Sequence, residues 1–206
     1  MNTTAHAPQA DHQDYLGAKL GMWLFLVTEV LLFGGLFISY SYMRHKYPLD
    51  FHHGGQELNV PIGVANTIIL LTSSLTMVLG IVAIQRGERK RTMLCTGATM
   101  ALGALFLVNK GFEWAAKFHH GLYPNAAHLA TLPPGEQVFF GLYFTMTGLH
   151  GVHVLAGISV LGWLLVLVAK GRINQDRFVA LENGGLYWHL VDVIWIYLLP
   201  LFYLAA

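Results

Sequence analysis

The chain has 206 residues, 55% of them hydrophobic and 11% charged. An average soluble domain carries roughly 25% charged residues, so this composition fits an integral membrane protein or an unusually apolar core. A net charge of +1 gives no argument for nucleic acid, and the one cysteine, Cys95, excludes an internal disulfide or a cysteine-based metal cluster within the chain.

Residues 1–18 are polar and read as a mobile N-terminal tail. Its histidines, His6 and His12, could in principle meet a metal. The segment does not read as a cleavable signal: no lysine or arginine precedes Lys19, and the apolar run that follows is too long for an h-region. Residues 19–206 then read as one domain of five membrane-spanning helices, an all-α bundle. Crossing a hydrocarbon core of about 30 Å takes roughly 20 residues. Five stretches are that long, at about Gly21–Met43, Ile62–Ile84, Cys95–Lys117, Val138–Ala169 and Leu186–Ala206.

The first span carries Glu29 at membrane depth, where a lone charge is costly. Two readings stay open, a neutral acid hydrogen-bonded to a neighbouring helix or a proton-exchange site that reacts with carbodiimides. A loop with Pro48, Gly54 and Gly55 follows. The second span offers Asn66, Thr67, Ser73, Ser74 and Thr76 as helix contacts, and a basic turn (Arg86, Arg89, Lys90, Arg91) closes it. On the third span Lys110, Glu113 and Lys117 are spaced so that Glu113 can pair with either lysine. Pro124, Pro133, Pro134 and Gly135 punctuate the next loop. The fourth span places Tyr143, Thr147, His150, His153 and Gly157 on one polar, small-residue stripe suited to close helix packing. Its two histidines are also conceivable ligands of a metal or haem, without a cysteine or carboxylate beside them. The last span holds His189 and Asp192 three residues apart, with Glu182 on the same stripe if the helix begins early. Asp192 and His189 could bond each other or His153, as a proton relay or as interhelical glue. Trp23, Tyr40, Tyr42, Trp114, Tyr187 and Trp188 near the helix ends suit an interfacial aromatic belt.

Basic residues alternate between the loops. With the N-terminus inside, eight fall on the cytoplasmic side (Lys19, Arg86, Arg89, Lys90, Arg91, Lys170, Arg172, Arg177) and three outside (Arg44, Lys46, Lys117). The positive-inside rule then places the N-terminus in the cytoplasm and the C-terminus outside.

Several strings together resemble subunit III of the haem-copper oxygen reductases. They are FLVTEVLLFGGLF around Glu29, NTIILLTSSLTM from Asn66, GFEW from Gly111, FTMTGLHGVHVLAG from Phe144 and the ending YWHLVDVIWIYLLPLFYL. The resemblance runs from Lys19 to Leu204 with the motifs in order, and matches the short five-helix bacterial form of the cytochrome c oxidase subunit. It implies a bundle with phospholipid held in a cleft, in the bacterial inner membrane. It implies no catalytic centre and no metal site in this chain, with haem and copper held by the partner subunits I and II, and membership of a respiratory supercomplex as an option. By the same resemblance Glu29 matches a buried, carbodiimide-reactive carboxylate. Lys110, Glu113, Tyr143, Thr147, His150, His153, Glu182, His189 and Asp192 would form a polar interhelical network. The implied role is support of proton uptake, oxygen access and stability of the catalytic subunit. One departure is that a Ser-His-His segment of many longer members is replaced by TSSLT at residues 72–76, so any role of that segment does not carry over.

Three alternatives stay open. A quinol oxidase or a nitric-oxide reductase of the same family could be the host complex. A proton-coupled transporter would use Glu29, Asp192 and the histidines, but no repeat or broken helix of that class is evident. A membrane metalloenzyme would need His150, His153 and His189 to converge as an open zinc site.

Overall fold

The computed structural model describes residues 8–124 and 126–204, with side chains from Leu16 onward. His6 and the His12 side chain lie outside the described residues. The architecture is all-helical: α1 (Pro8–Lys46), α2 (Pro48–Gln56), α3 (Val60–Gln85), α4 (Arg89–His119), α5 (Pro134–Ala169) and α6 (Val179–Leu199). A 3₁₀ turn at Leu129–Thr131 lies in the α4–α5 loop, and a π-helical turn, Pro200–Leu204, follows α6. Among the described residues, five helices are long and apolar enough to span a bilayer.

Two elements differ from the sequence expectation. Helical backbone begins at Pro8, inside the stretch expected to be a tail. Proline is tolerated in a first helical turn, and nothing from Gln9 to Lys19 stops a helix once it has started. At 39 residues α1 is about 58 Å long, well beyond a hydrocarbon core. The loop after it is not irregular but contains α2, with Pro48 at its start and Phe51, Gly54 and Gly55 buried. Nine residues with two glycines give too short a pattern to read as a helix from sequence.

Helix ends follow local chemistry. Asn59 caps α3, its Oδ1 accepting from Ile62 N at 3.3 Å. The other ends of α3, α4 and α5 share one device, a glycine just past the C-cap at positive φ: Gly87 (75°), Gly121 (67°) and Gly171 (74°). In each case the next residue's N–H reaches back to a carbonyl of the last turn, as Glu88 N does to Ala83 O at 2.9 Å.

Helix α6 is the centre of the bundle, packed against α1, α3 and α5, while α4 bridges α3 and α5. Its indoles fix the spacing. Trp188 is fully buried, and a Cβ at Gly103 of α4 or Gly157 of α5 would collide with its ring. Trp188 and Tyr40 therefore face the core and not the surface of the bundle, where an aromatic belt would lie. At the α2 end an aromatic cluster of Tyr40, Phe51, Phe139, Tyr143 and Phe202 meets edge to face. This geometry favours ring pairs beyond their buried area.

Candidate functional site: three polar seams

Among the described residues, three sets of polar side chains lie between the spans. The first joins α1 to α5. Glu29 Oε2 sits 2.9 Å from His153 Nε2, and His153 Nδ1 sits 2.8 Å from Leu149 O. A carbonyl oxygen can only accept, so Nδ1 carries a hydrogen. The contact from Nε2 to Oε2 then needs one proton between the two groups, on either side. The pair is a neutral acid with a neutral imidazole, or a carboxylate with an imidazolium. Tyr187 of α6 donates to His153 O at 3.0 Å, and the Phe33 ring covers the imidazole edge-on at 5.3 Å.

The second seam is a closed ionic network between α4, α5 and the C-terminal turn. Lys110 Nζ donates to Glu113 Oε2 at 2.9 Å, to Tyr143 Oη at 3.0 Å and to Tyr203 Oη at 3.0 Å. Both phenols donate to Glu113 Oε1, at 2.9 and 2.5 Å. The ammonium uses all three donors and each tyrosine both gives and receives, so the buried charges are paired and satisfied together. The Lys110 Nζ also stands 5.2 Å from the Trp195 ring centroid. Lys117, the other lysine within reach of Glu113 by spacing, turns to α2 instead and donates to Glu57 O. Thr147 bonds its own helix, at Tyr143 O.

The third seam joins α3 to α6 and α4. Thr67 accepts from Trp195 Nε1 and Ser73 from Trp188 Nε1, each at 3.0 Å. His189 Nδ1 lies 2.6 Å from Ser74 Oγ. Thr76 and Thr99 hydroxyls meet at 2.8 Å, and Asn109 donates to Asn66 at 2.9 Å. Asp192 is 3% exposed, with the Ser74 side chain beside its carboxyl, and among the described residues neither oxygen meets a partner at full hydrogen-bond geometry.

The relay considered for Asp192, His189 and His153 is not assembled. Three residues apart puts His189 and Asp192 on one side of α6, but His189 is drawn to Ser74 and His153 faces α1. His150, fully buried, lies between Phe106 and Trp195 and has no hydrogen-bond partner on either ring nitrogen among the described residues. Glu182 stands apart at the far end of α6, 3.2 Å from Lys19. The three histidines thus occupy different surroundings, and among the described residues no three histidine, cysteine or acidic side chains are gathered to hold a metal. Sequence reading missed Tyr203, Trp195 and Ser74 as partners of the ionisable groups. Tyr203 lies in the terminal turn with no periodic signal, and Ser74 was read as a plain helix contact.

The chain is similar to known proteins along nearly its whole length. A family model described as cytochrome c oxidase subunit III matches residues 4–206. Cytochrome c oxidase subunit 3 of Thermostichus vulcanus is 33% identical over 197 residues, 95% of this chain and 90% of the relative. The same subunit of Bacillus sp. strain PS3 is 33% identical over 191 residues, 91% of this chain and 85% of the relative. Cytochrome bo(3) ubiquinol oxidase subunit 3 of Pseudomonas aeruginosa is 31% identical over 204 residues, 95% of this chain and 90% of the relative.

Proposed function

The chain belongs to the cytochrome c oxidase subunit III family, and from that premise we propose that it serves as an accessory subunit without a redox centre. Its host is a respiratory haem-copper oxidase that passes electrons from cytochrome c to oxygen. Subunits I and II are its proposed partners and hold the haem and copper. The chain's own contribution is a stable helical flank beside the catalytic subunit, with Glu29 as its proton-exchangeable carboxyl. The observation that carries this reading is the family match along nearly the whole chain. The seams support it as packing devices, since the Lys110–Glu113 network is closed and the histidines each face a different neighbour.

Purification of the tagged chain from native membranes tests the proposal. Haem-bearing subunit I and a copper-bearing subunit II are expected to co-elute with it, in a complex that oxidises reduced cytochrome c. Elution without a haem-bearing partner, or iron or copper bound in stoichiometric amount by this chain alone, would sink it. A quinol oxidase is the second reading, favoured by the 31% identity to the ubiquinol oxidase subunit. Oxidation of a quinol but not of cytochrome c by the same complex would select it.

A further inference from the structure

His189 is the central residue of α6, midway between Val179 and Leu199. Half of that helix is about 15 Å, so the imidazole stands at the middle of a hydrocarbon core about 30 Å thick. The residue is only half-buried. Its Nδ1 is held 2.6 Å from Ser74 Oγ, while Nε2 has no hydrogen-bond partner among the described residues and is not sealed inside the bundle. An imidazole nitrogen carries either a hydrogen or a lone pair. A polar atom thus faces outward at a depth where such groups normally turn to protein.

Exposed hydroxyls within the spans are satisfied by their own helices. Thr28 donates to Phe25 O at 2.6 Å, Thr72 to Ile68 O at 2.7 Å and Ser159 to Leu155 O at 2.9 Å. With Nδ1 committed to Ser74, the outward nitrogen of His189 has no such recourse. The surface around it is apolar: Leu71, Leu75 and Val78 of α3 and Val193 and Ile196 of α6 are 41–58% exposed. Spacings of three and four keep each set on one helix face. The Ser74–His189 contact sets the two ridges side by side.

We propose that this α3–α6 face docks a transmembrane helix of the haem-bearing subunit, which brings a neutral hydroxyl or amide side chain to His189 Nε2. Hydrogen bonds of this kind help to hold membrane helices together. Acyl chains have no donor or acceptor to offer at that depth. A second copy of this chain is a poor complement. In a two-fold pair the same face meets itself, and two imidazoles tied alike to Ser74 present like atoms, both donors or both acceptors. A different polypeptide escapes that conflict. The inference rests on the subunit reading above and adds to it the face by which the chain is held.

The test places a photo-reactive benzoylphenylalanine in the full chain, in native membranes, at Val193 or, as the comparison, at Val152 on the α4–α5 side, exposed at 62%. Irradiation is expected to join the haem-bearing subunit to the chain probed at 193 and not to the one probed at 152. Adducts of the 193 probe with lipid alone or with a second copy of this chain, or a haem-subunit adduct from 152 but not from 193, would overturn the proposal. The hydrogen bond is read separately, by washing the complex in detergent. His189→Leu and Ser74→Ala both lose the internal bond, but only the first loses Nε2. His189→Leu should release the haem-bearing subunit about threefold more readily, the scale of one hydrogen bond between membrane helices. Equal release would remove His189 from the interface. Co-elution of the haem-bearing subunit with the unaltered chain is scored on the same membranes. Its absence would sink the subunit reading and this inference together, whereas its presence with a lipid-only adduct would sink the docking face alone.

Discussion

Glu29 and His153 are 124 residues apart in sequence and 2.9 Å apart in space. Each was legible on its own, as an ionisable group inside an apolar span, because such groups seldom face lipid. Their pairing was not, since nothing in either helix's pattern says which face of α1 turns to α5. The same limit left the reading of His189 and Asp192 open between a relay and interhelical glue, since spacing on one helix gave a shared side but not the partners across the gap. The pair yields a prediction that separates chemistry from packing. Glu29→Gln removes the carboxyl that a carbodiimide attacks but keeps an amide N–H that can donate to His153 Nε2. Labelling at this position should vanish while the chain stays in its complex. Glu29→Leu removes the bond as well, at a cost of about 0.6 kcal/mol on average for a side-chain hydrogen bond between membrane helices. Quantifying label by mass spectrometry and subunit retention on a detergent column checks both. Unchanged labelling of the Gln variant would show that Glu29 is not the reactive carboxyl.

Among the elements, the span positions were the readable part, because a hydrocarbon core imposes a length that no loop imitates. The α2 helix and the early start of α1 were hidden, as neither carries a long apolar run. The Lys110–Glu113 spacing of three was visible in sequence, whereas the two tyrosines that complete the network come from α5 and the terminal turn. That difference sets the scale of its response to mutation. Breaking a buried ion pair by removing one partner typically costs about 3–5 kcal/mol, because the other charge is left unpaired. Glu113→Gln should therefore destabilise strongly, and Lys110→Met/Glu113→Leu, which removes both charges, should recover much of the loss. The exposed Arg91–Glu88 pair, also three apart at 2.7 Å, offers the control. Its removal should cost between about 0 and 1 kcal/mol. Thermal dissociation of the chain from its complex measures all of these. A Glu113→Gln variant no less stable than the Arg91→Gln control would contradict the network's role.

For the whole molecule, five spans put the two ends of the described chain on opposite sides of a membrane, and charge must choose between the two orientations. The turn between α3 and α4 carries Arg86, Arg89, Lys90 and Arg91, and the loop between α5 and α6 carries Arg172 and Arg177 after Lys170. Both connections are short, within the range where basic residues resist translocation. The opposite end carries Arg44, Lys46 and Lys117, and Lys117 is tied to Glu57. Ion pairing does not change the count, since acidic residues contribute little to the rule, so an excess of eight over three survives. The α3–α4 and α5–α6 connections should thus face the cytoplasm, and α2 with the α4–α5 loop the other side. Cysteine accessibility decides it. In a Cys95→Ser background, Ala127→Cys in the α4–α5 loop and Gln175→Cys in the α5–α6 loop are both exposed positions. In spheroplasts a membrane-impermeant maleimide should label the first and leave the second until the membrane is opened. The reverse pattern would invert the orientation.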